Sequence, residues 1–148
     1  MRGAIALAGM VLAVAAFSAA AEDAGQIKTT QGSAQIVRDG QQIAAAPGVH
    51  VRQSDSIVTG DDGTVGLTLA DNSLLSIGPN TVMSLDQYAF DTTTHAGKMD
   101  ASLKKGTLVV ISGKLVKQSP GSMRIHTPAS IMGVRGTKFI VHVAEPRS

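Results

Sequence analysis

Beyond its first two dozen residues the chain is predicted to be all-β, a single domain of short strands with solenoid-like stacking; a β-sandwich is the alternative. Three observations lead there. No window after Glu22 holds a helical stripe of apolar residues. Short apolar or alternating runs are instead broken by Gly, Asp, Asn and Pro, the punctuation of strands and turns. Finally, Gly or Asn followed by Ser or Thr opens a predicted strand at Gly32-Ser33, Gly63-Thr64, Asn80-Thr81, Gly106-Thr107 and Gly136-Thr137, at separations of 31, 17, 26 and 30 residues. A strict repeat has a constant period, and turns placed before strands produce this pattern on their own. Units of unequal length can nevertheless stack as coils with variable loops.

The N-terminus reads differently. Met1 and Arg2 give a positive start, residues 4–17 are apolar with Gly9 the one interruption, and Ser18-Ala19-Ala20-Ala21 precedes the acids Glu22 and Asp23. This is the pattern of a secretory signal peptide ending after Ala20 or Ala21. A retained membrane helix is the rival, but it needs roughly 20 apolar residues, and the run reaches that length only by including the small-residue exit. There is no cysteine to carry a lipid. Export to the periplasm or medium is therefore expected, with no stable membrane span after processing.

Removing 21 of the 148 residues leaves 127, enough for one domain with a real core. The mature chain carries 12 basic and 11 acidic side chains, a balance that argues against nucleic acid as a partner. Without cysteine there is neither a disulfide scaffold nor thiol catalysis. Aromatics make up 3% of the chain, too few for a stacking platform, so the core must be built from Val, Ile, Leu, Met and Ala.

Taken in order, residues 22–46 supply N-terminal strands. Ala34-Gln35-Ile36-Val37 runs into Arg38-Asp39-Gly40, a hairpin signal because Gly tolerates positive φ. Pro47-Gly48 is a turn, and Asp55-Ser56-Ile57-Val58 leads to a second at residues 59–63. Val65, Leu67 and Leu69 alternate with Gly66 and Thr68, so one face is buried. Asp71-Asn72-Ser73 and Gly78-Pro79-Asn80 bracket Leu74-Leu75-Ser76-Ile77, and Val82, Met83 and Leu85 mark the next strand. A polar loop follows over residues 90–99. Leu108-Val109-Val110-Ile111 reads as a strand buried on both faces, and Met123-Arg124-Ile125-His126 and Phe139-Ile140-Val141-His142-Val143 complete the set.

The order of these pieces resembles the FecR domain, named for the periplasmic regulator of ferric citrate uptake. The pieces are Pro47-Gly48; Asp55-Ser56-Ile57-Val58-Thr59-Gly60; Asp61-Asp62-Gly63-Thr64-Val65-Gly66-Leu67; Leu69-Ala70-Asp71-Asn72-Ser73; Leu74-Leu75-Ser76-Ile77-Gly78-Pro79-Asn80; Leu103-Lys104-Lys105-Gly106-Thr107-Leu108; Thr127-Pro128-Ala129; and Gly133-Val134-Arg135-Gly136-Thr137-Lys138-Phe139. The resemblance covers residues 47–143 and leaves 144–148 as a tail. It implies a β-rich periplasmic sensory or interaction module. Many members place this module after a cytoplasmic anti-sigma segment and one membrane helix; here the signal peptide comes first, so a stand-alone exported version without direct anti-sigma activity is expected.

Asp55, Thr59, Gly60, Gly78, Gly106, Thr127, Pro128, Gly133, Arg135, Gly136 and Thr137 carry the resemblance, and the residue types favour architectural roles. Arg135 presents a planar fork of donors, which can reach a partner's carboxylate or clamp loop carbonyls of its own fold; the clamp is the stronger reading. Thr59 and Thr137 are expected to cap turns through their hydroxyls. Pro128 gives a rigid lead-in to the segment before Arg135.

Catalytic, cofactor and metal sites are not expected. His50, His95, His126 and His142 form no close-spaced pair, whereas zinc needs about four ligands. Asp61, Asp62 and Asp71 lie in turns, where Asp bonds its own backbone. Two function classes remain: a non-enzymatic envelope interaction or signal-relay module, and a carbohydrate- or cell-wall-binding β domain. The strand around Phe139, Ile140 and Val141 falls near the chain's end, so its edge is a candidate surface for an envelope protein or a second copy. Protein recovered from the envelope fraction is expected to begin at Ala21 or Glu22; an intact mass that still includes the leader overturns the export reading.

Overall fold

Alternation along each strand decides which face it buries. In the computed structural model, which describes residues 23–144, those faces surround one core. The segment expected to be a signal peptide, Glu22 and the last four residues lie outside the described residues. The strands are β1 (Asp23–Gln31), β2 (Ala34–Arg38), β3 (Gln41–Ala44), β4 (His50–Arg52), β5 (Ser56–Thr59), β6 (Thr64–Leu69), β7 (Leu74–Ile77), β8 (Val82–Phe90), β9 (Gly97–Ile111), β10 (Met123–His126), β11 (Ile131–Gly133) and β12 (Lys138–Val143). A single helix, α1 (Lys114–Gln118), follows β9.

The turn chemistry predicted from sequence sets the first reversals. Asp39 and Gly40 both take positive φ, 51° and 77°, and join β2 to β3 in register Arg38↔Gln41. The Val49 N–H bonds Ala46 O at 3.1 Å across Pro47-Gly48. Further on, β6 buries Val65, Leu67 and Leu69, opposite Ile77 and Leu75 of β7, and β1 adds Ile27 beside Leu67. Each such fully buried side chain contributes about 1.5–3 kcal/mol.

The strands form one sheet curled into an open half-barrel, in the order β3-β2-β5-β8-β9-β7-β6-β1-β4. Every pairing among the described residues is antiparallel except β9 with β10. The all-β class expected from the sequence is met, while this order neither confirms solenoid-like stacking nor distinguishes a sandwich. Antiparallel hairpins join β2 to β3, β6 to β7, β8 to β9 and β10 to β11, and the remaining neighbours come from distant parts of the chain. The N-terminal strands are woven into this sheet: β1 lies between β4 and β6, and β2 between β3 and β5.

The strand β9 makes the curl possible. Its first half pairs with β8 and β10, its second with β7 and β12. Between the halves, Lys105 pairs with Val82 and Leu103 with Met83, leaving Lys104 as an extra residue. One extra residue reverses the alternation of faces. Met99, Ala101 and Leu103 are buried before it, Leu108 and Val110 after it, and both sets reach the same core. Gly106, at φ +98°, completes the bend. Gly106-Thr107 thus lies inside a strand instead of opening one, while the other four Gly/Asn–Ser/Thr pairs do precede strands.

Two further expectations change. The segment 108–111 is buried on one face: Val109 is half-buried and Ile111 is 39% exposed. Its apolar run reflects a central strand whose outer face is left uncovered. The helix α1 was not foreseen, because five residues are too few for a stripe; Leu115 and Val116 anchor it in the core. The polar loop is confined to residues 91–96, where Asp91 Oδ1 accepts the Thr93 and Thr94 N–H groups at 2.8 and 3.0 Å. These backbone bonds hold the Asp91 carboxyl below its ordinary pKa.

A Cβ at Gly106 would stand 2.1 Å from Thr81 Oγ1 and 2.5 Å from Thr81 Cα, whereas one at Gly136 (φ +85°) meets nothing within 4 Å. Gly136→Ala is expected to cost about 1–2 kcal/mol from backbone strain alone. Gly106→Ala should carry a similar strain plus about 1–3 kcal/mol of overpacking. Denaturant melts of the two variants check the order; equal losses would mean that the Thr81 contact does not constrain the bend.

Candidate functional site

Four of the motif residues converge on the bend of β9. Thr59, at the end of β5 and 5% exposed, donates its hydroxyl to Gly78 O at 2.7 Å and accepts the Thr81 N–H at 3.0 Å. Thr81, fully buried, donates its hydroxyl to Pro79 O and accepts the Thr107 N–H at 3.1 Å. Gly78 N–H bonds Thr107 O, and the Gly60 carbonyl accepts the Asn80 N–H, each at 3.0 Å. Gly60 N–H is itself held by Ser33 O at 2.9 Å. The hydroxyls of Thr59 and Thr81 are thus both engaged within the knot. Thr81, missed in the sequence, is its centre; only the pairing of β5, β8 and β9 brings its partners together.

Asp55 is 1% exposed and serves the fold in the same way. Arg38 Nε and Nη2 donate to its two oxygens at 2.9 and 2.7 Å, and the Arg52 N–H adds a bond at 2.8 Å. The bond to Asp55 raises the Arg38 pKa further above its already high value. Arg38 Nη2 also bonds His50 O at 3.1 Å, tying β2 to β4. Nothing local in the sequence links Arg38 to a carboxylate 17 residues away.

A third knot surrounds the fully buried Asp71, whose carboxylate accepts the Ser73 N–H and hydroxyl and the Leu115 N–H. Tyr88 closes it by accepting the Asp71 N–H at 3.1 Å. Burial pushes the Tyr88 phenol above its ordinary pKa, and the Asp71 charge adds to the shift.

The segment from Thr127 to Val143 is built otherwise. Thr127 Oγ1 accepts the Ser130 N–H at 3.0 Å, closing the loop over Pro128 and Ala129 that joins β10 to β11. Gly133 ends β11, opposite Arg124. The turn before β12 is held by its backbone: Ser112 donates its hydroxyl to Gly136 O and its N–H to Thr137 O, the latter at 2.8 Å. Val134 is buried there, whereas the side chains of Arg135 and Thr137 face outward. Arg135 is exposed and bonds no carbonyl among the described residues, so it is not the internal clamp expected from its chemistry. Ser112 already closes the turn, leaving the guanidinium nothing to hold. Thr137 is likewise exposed, and its hydroxyl caps nothing among the described residues; its carbonyl does the work instead.

The last strand has an open side. Among the described residues β12 pairs with β9 alone, in register from Lys138↔Ile111 to Val143↔Gly106. The Ser112–Thr137 bond sets the phase of that ladder. By alternation, Phe139, Val141 and Val143 bond inward to β9, while the backbone groups of Lys138, Ile140 and His142 point to the free edge. Val141 is 4% exposed, Phe139 half-buried, and Ile140 61% exposed. An open groove of about 330 Å³ lies between the Thr127–Ser130 loop, Met132 of β11, and Val141 and Val143 of β12.

The FecR protein family matches residues 55–148. The chain belongs to the FecR family. No curated protein and no solved structure matches it. The family residues therefore divide in two. Asp55, Thr59 and Gly106 are buried and Gly60 and Gly78 are half-buried and hydrogen-bonded within the fold, while the Thr127–Pro128 loop and Arg135 lie at the surface beside the FecR domain's open edge.

Each histidine among the described residues has a side-chain partner. His126 contacts Asp100 at 3.3 Å, His142 bonds Thr107 at 2.8 Å, His50 lies beside Asp23, and His95 stacks on Phe90. Asp62 Oδ1 accepts the Ser33 N–H. Among the described residues no three His, Cys, Asp or Glu side chains are grouped to hold a metal. No helix among them is long and apolar enough to cross a membrane.

Removing Arg38 leaves the Asp55 carboxylate buried with one backbone donor. Arg38→Met is expected to destabilise the domain by about 3–5 kcal/mol, whereas Arg135→Met should change stability by within about 0.5 kcal/mol. Urea melts separate the two; a large loss for Arg135→Met would return that residue to a structural role.

Proposed function

We propose that this FecR-family chain is a non-enzymatic, exported interaction or signal-relay module of the cell envelope, working through the surface formed by β12 and the turn before it. Family membership supports an envelope-associated signalling or regulatory role. The observation that carries the more specific reading is the open edge of β12. It offers backbone groups at Lys138, Ile140 and His142 and an Arg135 side chain that are without a partner among the described residues, and an exposed Ile140. An unpaired strand edge is a ready template for another chain's strand, and adding a partner's strand to one is an established mode of recognition. The buried carboxylates Asp55 and Asp71 are saturated by hydrogen bonds and unavailable for acid–base work, which supports a binding role over catalysis.

A photo-crosslinking amino acid placed at Ile140 is expected to give one discrete adduct in the envelope of the native host. The same group at Asp39, an exposed turn residue on the β2–β3 hairpin, should give none. Absence of any adduct at position 140, or equal labelling from both sites, overturns the reading.

A further inference from the structure

The open edge also has a chemical character, which follows from how charge is distributed along the chain. Residues 23–100 hold nine Asp and four Lys or Arg; residues 101–144 hold seven Lys or Arg and neither Asp nor Glu. The fold gathers part of this basic set around one segment. Lys138 begins β12, Arg135 sits in the turn before it, Arg124 lies opposite Gly133, and α1 with Lys114 and Lys117 follows Ser112, which is bonded to that turn. Lys138 and Arg135 are exposed and make no ion pair or hydrogen bond among the described residues.

Apolar surface adjoins the charge. Residues directly opposite in a ladder share a face, so Leu74, Ile111 and Lys138 form one row on the outer side of the sheet, and Ser76, Val109 and Ile140 form the next. Leu74, Ile111 and Ile140 are three of the four large apolar side chains exposed among the described residues. On the inner side, Val141 and Val143 line the groove with Met132.

We infer that the free edge of β12 accepts an acidic, extended segment of a partner protein as an added strand, the partner's apolar residues entering the groove beside Met132 and its carboxylates meeting Lys138 and Arg135. This rests on the interaction-module reading and names the chemistry of the partner. The backbone groups of Lys138, Ile140 and His142 supply the ladder, and the alternation of the added strand supplies the specificity. A second copy of this chain would bring the same basic segment against itself, and like charges placed together are unfavourable, so a foreign acidic strand fits better than self-pairing.

The test uses a fluorescent peptide alternating valine with glutamate, N-methylated at every second amide so that it keeps one bonding edge and cannot stack on itself. Fluorescence anisotropy with the mature protein is expected to show binding that weakens as salt rises. A peptide with lysine in place of glutamate, and one N-methylated at every amide, should not bind. Arg135→Glu with Lys138→Glu, tested on protein shown to be folded, should weaken binding by about tenfold or more. Ile140→Pro removes an edge donor that no intrachain bond uses and should abolish binding, whereas Ile140→Ala should retain most of it. Equal binding of the fully methylated peptide would mean attraction by charge without strand addition, and would overturn the inference. So would self-association of the unmodified protein in light scattering that the peptide does not reverse. A discrete envelope adduct at position 140 with no peptide binding would overturn the acidic-strand occupant and leave the interaction reading standing; peptide binding without any adduct would do the reverse.

Discussion

The contact between Gly106 and Thr81 governs the architecture. With no room for a Cβ at Gly106, β9 turns sharply over the β5–β8 junction, and the hydroxyls of Thr59 and Thr81 satisfy the backbone groups that the bend and the Gly78–Asn80 turn would otherwise leave bare. A buried unpaired donor or acceptor costs about 1–3 kcal/mol, so the knot must form as a unit. Because it does, one strand serves both halves of the sheet, and the reversal of alternation at Lys104 keeps each half's apolar side chains on the concave side.

A chain poor in aromatic residues gains the rest of its specificity from buried carboxylates. Asp55 joins the β2 hairpin to the loop between β4 and β5, and Asp71 joins the β6–β7 turn to α1 and Tyr88. Neither location is fixed by the aliphatic core, which is non-directional. Hydrogen bonds with defined geometry determine how the loops seat on it. The two knots sit in segments far apart along the chain and share no residue, so each pins a different part of the curl.

Against this interior, the segment carrying Arg135 and β12 is open. Its turn is closed by Ser112 through backbone atoms, which leaves the side chains of Arg135, Thr137 and Lys138 pointing outward. Within this FecR-family segment Val134 and Val141 are buried in the core, so the exposed side chains of Arg135, Thr137, Lys138 and Ile140 are the reasonable place for recognition to act. The half-barrel shape contributes as well: a closed barrel would have no free strand edge at this position.

Sequence alone determined the all-β class, the hairpin at Asp39-Gly40, the buried alternation of Val65, Leu67 and Leu69, and the ordered motifs of the family. These are properties of local spacing and of residues that tolerate particular backbone angles, and they need no knowledge of neighbouring strands. Tertiary structure decided the rest. The partnership of Arg38 with Asp55 depends on which strands lie side by side. The one-sided burial of Val109 and Ile111 depends on what covers the outer face, which periodicity in an apolar run does not report. The role of Arg135 turned on Ser112, 23 residues earlier in the chain: once that hydroxyl and amide close the turn, the arginine is released to solvent. A residue's chemistry is written in the sequence; whether that chemistry is already satisfied by the fold is a matter of contacts that only the folded chain makes.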